Sequence, residues 1–302
     1  MKKFLLESAV FLTIIFVSFY LVALRADGYT DPFYLRYTTK KQSALIIGTS
    51  RAAQGIHPDI LNEKLGRDDF FNYSFTITAS PYGPAYLESI NRKLDPDTKD
   101  GIFIMAVDPW SISSNSEDPE KANQFKETSR FMGKTKWVNL YPNLPYLLES
   151  YEEPMYKLFK KPKTSMFLHD DGWLEVTIWM DSNSVKRNIE KKVADYRNKN
   201  LIDFKYSKLR VKFLEKTIEF LKTYGKVYLV RMPVHPLMME IDSLHMPDFE
   251  EIIKPVYEKT NTPYLNLTYL NSKYIYTDGN HLYKGSGAEV TGIIADWILS
   301  IK

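Results

Sequence analysis

Three side chains, one after an early apolar run and two near the end of the chain, have the types that nucleophilic catalysis needs. Ser50 follows residues 44–47 through Gly48 and Thr49, and Asp278 and His281 share one late loop. A serine hydroxyl is a weak nucleophile until an imidazole takes its proton, and a carboxylate fixes the tautomer of that imidazole. We therefore predict that Ser50 is a nucleophile, His281 its base and Asp278 the residue that orients His281.

Each of these residues also has a simpler explanation when it is taken alone. A serine after Gly-Thr is commonly a turn residue or a helix cap, and an Asp-x-x-His spacing arises often by chance. Their joint placement favours chemistry, because the active groups of an open parallel sheet gather beyond the carboxyl ends of its strands. A first strand and a last loop would meet at that edge.

The remaining histidines form no comparable constellation. His57 precedes a proline and is expected at a helix entry, whereas His235 follows a strand and is the reserve candidate for a base. His169 and His245 lie in loop-like surroundings, and no histidine pair has metal-ligand spacing. The chain has no cysteine, which excludes disulfides, thiol catalysis and cysteine-bound zinc. We expect no metal.

An alternation of short apolar runs and amphipathic segments predicts an α/β fold with a parallel sheet. The predicted strands are 44–47, 70–75, 102–107, 226–232 and 264–267, and the predicted helices are 58–65, 85–94, 204–223, 249–260 and one near 290–301. Residues 111–200 break this alternation and are predicted to be an insertion over the carboxyl edge of the sheet. The domain is expected to cover residues 44–302.

The insertion is rich in aromatic residues, which allows two interpretations. The rings could stack on sugars, or they could fill a core, which is the commoner use of aromatic side chains. The residues concerned are Trp137, Tyr141, Tyr146, Tyr151, Tyr156, Trp173 and Trp179.

Residues 4–24 form an apolar stretch that is about 31 Å long as a helix, enough to span a bilayer. Leu24 stands where a cleaved signal peptide would need a small residue, so we predict an uncleaved single-pass anchor. We expect the short N-terminal tail to stay in the cytoplasm and the domain to be extracytoplasmic, although basic residues flank the stretch on both sides. The net charge of +3 is too small to predict a nucleic-acid partner.

The segments Leu45-Ile-Ile-Gly-Thr-Ser-Arg51 and Asp278-Gly-Asn-His-Leu282 resemble the nucleophile block and the closing block of the SGNH/GDSL hydrolase superfamily. The resemblance implies a flavodoxin-like three-layer sandwich and serine ester hydrolysis or acyl transfer without a cofactor. Membrane-anchored relatives assist polysaccharide O-acetylation and teichoic-acid D-alanylation. An acylated glycan or other acyl ester is then the expected substrate, with a multi-spanning membrane acyltransferase as a possible partner.

The sequence departs from this family in the blocks that stabilise the oxyanion. No glycine follows Asn72 before Gly83, and Asp108 stands near the expected asparagine. An ionised carboxylate cannot donate a hydrogen bond. In the nucleophile block, Thr49 replaces the usual aspartate, which is tolerable because only the following serine attacks. Backbone N–H groups at Ser50 and in the 76–80 loop are the expected donors, and the side-chain candidates for oxyanion or substrate binding are Arg51, Asn72, Thr78, Asp108 and Arg231. Arg51 could instead pair with Asp108.

Two functions are compatible with these residues. The first is an extracytoplasmic esterase or O-acyltransferase that acts on cell-envelope or exported glycans. The second is a non-catalytic scaffold of a polysaccharide-modification machine, which the altered oxyanion blocks favour and the Ser50, Asp278 and His281 set disfavours.

Overall fold

The protein is described here from a computed structural model that covers residues 1–160 and 164–301. Residues 161–163 of the predicted insertion and Lys302 of the predicted domain lie outside this range. The helices are α1 (Lys2–Ala23), α2 (Ser50–Gly55), α3 (Pro58–Leu65), α4 (Pro84–Lys93), α5 (Phe131–Lys134), α6 (Leu144–Glu149), α7 (Lys157–Lys160), α8 (Ser182–Asp195), α9 (Leu201–Asp203), α10 (Lys208–Lys222), α11 (Pro236–His245), α12 (Phe249–Lys259) and α13 (Lys284–Ser300).

The strands are β1 (Ala44–Ile47), β2 (Phe70–Asn72), β3 (Gly101–Ala106), β4 (Ser113–Ser114), β5 (Met166–Leu168), β6 (Leu174–Val176), β7 (Lys205–Tyr206), β8 (Gly225–Arg231) and β9 (Tyr264–Asn266). Five of them form one parallel sheet in the order β2-β1-β3-β8-β9. Counted within this sheet, the order is 2-1-3-4-5, which is that of flavodoxin-like doubly wound sheets. The predicted α/β class with a central parallel sheet is confirmed.

Alternate residues of the central strands enter two different cores, because successive side chains of a strand point to opposite faces. Leu45 and Ile47 join one core, and Ala44 and Ile46 join the other. Both faces are covered by helices, so β1 is buried throughout and reads as a continuous apolar run.

The packed core begins before the predicted boundary at residue 44. A 3₁₀ turn at Tyr34–Tyr37 is buried, and the Tyr37 ring stacks on Phe75 at 5.7 Å between centroids. The Arg36 side chain donates to the backbone oxygen of Asn72 at 2.9 Å. Aromatic packing of this kind makes the connection after α1 part of the domain.

The two ends of the predicted insertion are joined by a pair of short strands. Ser113 of β4 pairs with Tyr206 of β7, and Ser114 pairs with Lys205, in an antiparallel ladder. Between these strands lie the β5–β6 hairpin, several short helices and α8, which continues into a π-helical turn at Tyr196–Asn200.

Helix α1 is long and apolar enough to be a membrane span or a signal anchor. Its mean hydropathy over an 18-residue window is 2.2, and none of that window is buried against the protein. Its last turn is different, because Ala23 is fully buried and belongs to the core on one face of the sheet.

Candidate functional site

Ser50 is the first residue of α2, directly beyond the carboxyl end of β1. The chain turns sharply at Gly48, where a β-carbon would lie 2.8 Å from the β-carbon of Ala106 and 3.0 Å from that of Ala52. Only glycine fits this approach without displacement. The turn therefore presents the Ser50 hydroxyl at the edge of the sheet.

The closing loop is a tight turn between β9 and α13. Asp278 Oδ1 accepts hydrogen bonds from the backbone N–H groups of Asn280 at 3.1 Å and His281 at 3.0 Å. Gly279, between Asp278 and Asn280, has a φ of +83°, a left-handed conformation that favours glycine. The carboxylate thus organises the loop that carries the imidazole.

The structure brings Ser50, His281 and Asp278 into one hydrogen-bonded chain. Ser50 Oγ lies 2.8 Å from His281 Nε2. His281 Nδ1 lies 2.9 Å from Asp278 Oδ1 and 3.0 Å from Oδ2. These distances allow a carboxylate-oriented imidazole to take the serine proton. Their catalytic roles stay a prediction.

Lys192 of α8 is a second partner of the Asp278 carboxylate, with its Nζ 3.1 Å from Oδ2. Burial by itself would raise the pKa of Asp278, but His281 and Lys192 outweigh burial and hold the pKa well below its usual range. Asp278 is therefore ionised at neutral pH. Lys192 was not predicted as a site residue, because Lys192 lies in the insertion, far from the closing block in sequence.

Arg51 does not point to the reacting groups as a free donor. Its guanidinium forms a two-pronged ion pair with Asp242 of α11, at 2.7 and 2.9 Å. It also donates to Asn280 Oδ1 from Nε at 3.0 Å. The predicted partner Asp108 is farther away, at 3.9 Å. The proposed oxyanion role of Arg51 is therefore replaced by a positioning role.

We expect Asp242→Ala to destabilise the fold by about 3–5 kcal/mol, because it leaves the buried Arg51 without its closest countercharge. The side chains of this pair are 4% and 1% exposed. Chemical denaturation in detergent micelles measures the change. Asp296→Ala is the control, since its pair with Lys64 is exposed and should contribute about 1 kcal/mol or less. Equal effects of the two substitutions would contradict this assignment.

The side chains of Asn72 and Arg231 bond to other groups and do not line the cleft at Ser50, so their predicted roles at the oxyanion stay predictions that this geometry does not support. The Asn72 amide donates to the backbone oxygens of Ala52 and Ile56, both at 2.9 Å, and is completely buried. Arg231 donates to Glu250 at 2.6 Å. Both residues hold secondary-structure elements together.

Asp108 acts as an acceptor and Thr78 bonds within its own loop. Asp108 Oδ1 accepts from the backbone N–H groups of Trp110 and Ser111, and Oδ2 accepts from the Thr49 hydroxyl at 3.3 Å. Burial raises the pKa of Asp108, which Arg51 partly offsets. The Thr78 hydroxyl lies 3.1 Å from that of Thr76. Neither side chain lines the cleft at Ser50, so their predicted roles at the oxyanion stay predictions.

Asn280 is a further residue of the site, for which no role was predicted although it belongs to the closing block. Its Nδ2 lies 3.2 Å from His281 Nε2, beside the Ser50 hydroxyl. Arg51 donates to its Oδ1 from both Nε and Nη2. Because guanidinium groups only donate, these bonds fix the oxygen side of the amide and turn its N–H groups toward the imidazole. The only available sequence signal was its place between Asp278 and His281.

Ser50 and His281 open into a cleft of about 620 Å³. Its apolar lining residues include Pro32, Phe33, Ile77, Met166 and Leu174. Its polar lining residues include Lys192, Asp195, Lys199 and Asn200, which come from α8 and the π-helical turn after it. The insertion therefore supplies much of the lining of this cleft.

The aromatic residues of the insertion differ in exposure, so neither predicted role, stacking on sugars or filling a core, applies to all of them. Tyr146 is buried, but Trp137, Tyr141, Tyr156 and Trp179 are all more than half exposed. None of these rings lines the cleft with Ser50. The aromatic residues that do are Phe33, which precedes the insertion, and Tyr196, which lies at its end.

Outside the triad, the histidines have structural contacts. His57 stands at the entry of α3, as predicted, without a capping hydrogen bond from its side chain, and its ring packs on Trp173. His235 caps α11, where its Nδ1 accepts from the Leu237 N–H. His169 pairs with Glu175, and His245 stacks on Trp110.

The chain matches no protein-family model and no curated protein by sequence. It is similar in structure to Est24, a carbohydrate acetylesterase from Sinorhizobium meliloti, with 10% identity and a TM-score of 0.40. It is also similar to the aryl esterase of M. smegmatis in its native form, with 11% identity and a TM-score of 0.40, and in its inhibitor-bound form, with 11% and 0.38. Each likeness covers 87% of this chain and 100% of the other. At these values the function has to be argued from the site itself.

Proposed function

We propose that this chain is a membrane-anchored serine esterase or O-acyltransferase that acts on acyl groups of cell-envelope or exported glycans, with its domain outside the cytoplasm. The observation that carries the proposal is the hydrogen-bonded chain Ser50–His281–Asp278 at the carboxyl edge of a flavodoxin-like sheet. The mixed lining of the cleft supports it, since the apolar side chains suit an acyl group and the polar ones suit a hydroxyl-rich alcohol.

In the first step, Ser50 Oγ attacks the acyl carbonyl carbon while His281 Nε2 takes the hydroxyl proton. The tetrahedral intermediate collapses, the ester C–O bond breaks, and His281 returns that proton to the leaving alcohol. The acyl group is then bound to Ser50. Asp278 stays ionised and keeps the Nδ1–H tautomer, which leaves Nε2 free to accept the proton.

In the second step, a hydroxyl group attacks the acyl-serine and His281 takes the proton of that hydroxyl. The bond between the acyl carbon and Ser50 Oγ breaks, and His281 protonates the serine. Water gives hydrolysis, whereas a sugar hydroxyl gives transfer. We assign Lys192 and Lys199, which line the cleft, to binding of the hydroxyl-bearing partner.

The oxyanion needs hydrogen-bond donors near Ser50. The backbone N–H groups of Ser50 and Arg51 stand in the first turn of α2, where a helix offers them no internal partner. We assign the Asn280 amide as an additional side-chain donor. In the 76–80 loop, the N–H groups of Ala79 and Ser80 already donate to the oxygen of Thr76, so those two are not assigned.

We expect Asn280→Ala to lower kcat by about 100-fold with little change in KM, because an oxyanion donor acts in the transition state. Asn280→Asp is the matched variant, since it keeps an acceptor for Arg51 and removes the donor. It should lose a similar factor in p-nitrophenyl acetate hydrolysis. A variant with aspartate that keeps the wild-type kcat would show that Asn280 only positions Arg51.

A fluorophosphonate probe tests the proposed function directly. The purified full-length chain should be labelled in its folded state and not after heat denaturation, and mass spectrometry should locate the adduct on Ser50. Labelling at another residue, or none, contradicts the enzymatic assignment. In that case the scaffold function would be favoured, for which Asp108 as a pure acceptor at the family's asparagine position is the specific observation.

A further inference from the structure

A group of exposed apolar side chains lies around the point where α1 joins the domain. They are 39–67% exposed and fall within one stretch of the insertion. We call this group the junction patch; its members are Trp137, Leu140, Tyr141, Leu148, Tyr156 and Phe159. Isolated exposed apolar residues are ordinary, but such a group marks an interaction surface.

The patch is continuous with α1. The Tyr141 hydroxyl donates to the backbone oxygen of Leu24, at 3.1 Å, directly after the last residue of α1. Helices α6 and α7, which carry Leu148 and Phe159, both contact α1. The patch therefore lies beside the end of the apolar helix.

The length of α1 places this end at the surface of a bilayer. From Phe4 to Ala23 the helix rises about 30 Å, which matches the thickness of the hydrocarbon core. Leu24, and with it the Tyr141 ring, would then lie at the level of the lipid headgroups.

The composition of the patch fits that level. Tryptophan and tyrosine are enriched at membrane–water interfaces, and nearby lysines can extend their ammonium groups to the headgroups. Lys157 and Lys160 flank the exposed rings, and the Lys160 ammonium lies 5.5 Å from the centre of the Tyr156 ring.

We infer that the junction patch is a lipid-contacting surface that seats the domain against the bilayer from which α1 emerges. The inference rests on the proposed anchoring of α1 and not on the proposed chemistry. Its occupant is the lipid headgroup region, because the patch begins where the membrane-spanning stretch ends.

The absence of cysteine from the chain permits a direct test. Single cysteines are introduced into the full-length protein by Leu148→Cys and Phe159→Cys, labelled with an environment-sensitive fluorophore and reconstituted into phosphatidylcholine–phosphatidylglycerol vesicles. Tyr269→Cys is the matched control, since Tyr269 is also exposed but follows β9 at the opposite edge of the sheet from β2. Val10→Cys, within α1, reports insertion.

Spin-labelled lipids should quench the fluorophores at positions 10, 148 and 159 several-fold more than the one at 269. Quenching at position 10 but not at 148 and 159 would overturn the inference and leave the anchor intact. Protection of 148 and 159 in native membranes only would overturn it in favour of a protein partner. An absence of quenching at position 10 would show that α1 is not inserted and would overturn the inference, which rests on that insertion. Each variant is also treated with the fluorophosphonate probe. Labelling that is retained while quenching fails would contradict the lipid contact and leave the proposed function standing.

Discussion

Ser50→Ala is expected to lower kcat for ester hydrolysis by about 10⁵-fold or more, because the bond-forming oxygen is lost. The substitution removes one hydroxyl from the first turn of α2, and the Asp278–His281 hydrogen bonds remain. The thermal midpoint should therefore change little. Steady-state hydrolysis of p-nitrophenyl acetate by the full-length protein in micelles measures the effect.

Ser182→Ala is the matched control for this substitution. Ser182 is also the first residue of a helix, α8, and is exposed at its start. Its removal should leave kcat within about two-fold of the wild-type value, as is usual for surface changes away from special contacts. Comparable activity of Ser50→Ala and the wild type would show that hydrolysis does not pass through Ser50.

Asp278→Asn is expected to lower kcat by about 10⁴-fold at neutral pH. An amide at this position can donate to His281 Nδ1, which moves the imidazole proton to Nε2 and leaves that atom unable to accept from Ser50. The amide oxygen can still accept the backbone N–H groups of Asn280 and His281, so the loop should keep its shape.

Asp203→Asn provides the comparison, since Asp203 is exposed in α9 and should tolerate the change. The same assay at several pH values separates a tautomer effect from simple loss of charge. Because the pKa of Asp278 is held well below its usual range, the carboxylate is ionised across the assay range. An activity loss of less than about ten-fold would contradict an orienting role.

Much of the fold was predictable because both faces of the sheet are buried. The runs at 44–47, 102–107 and 226–232 are apolar enough to identify central strands, and the observed bounds differ by one residue or less. Helix α11 was missed. Its short segment follows Pro233 and begins at Pro236, and it has no long amphipathic repeat that would distinguish it from a loop.

The positions of Ser50, Asp278 and His281 were predictable from topology, since a first strand and a last loop end at the same edge of the sheet. The surrounding hydrogen bonds were not predictable. Arg51 lies next to Ser50 in sequence but bonds to Asp242 of α11, a helix that the pattern did not reveal. A side-chain partner far away in sequence leaves no local signal.

The two departures near the nucleophile form a single contact. Thr49 stands where the family has an aspartate, and Asp108 stands near its asparagine; the Thr49 hydroxyl donates to the Asp108 carboxylate. This hydrogen bond links the segments that follow β1 and β3. From the sequence, only the Asp108 departure pointed to a weakened site.

The antiparallel β4–β7 pair has a consequence for how substrate choice can change. It brings the two ends of the excursion between them together, so the chain leaves and re-enters the sheet at one place. That excursion supplies Lys192, Asp195, Lys199 and Asn200 to the lining of the cleft. A related chain could lengthen, shorten or exchange it as a cassette and recognise a different alcohol, while β1 and the closing loop keep the reacting atoms in register. Lys192 sets the limit on such exchange, because it ties the cassette to the Asp278 carboxylate.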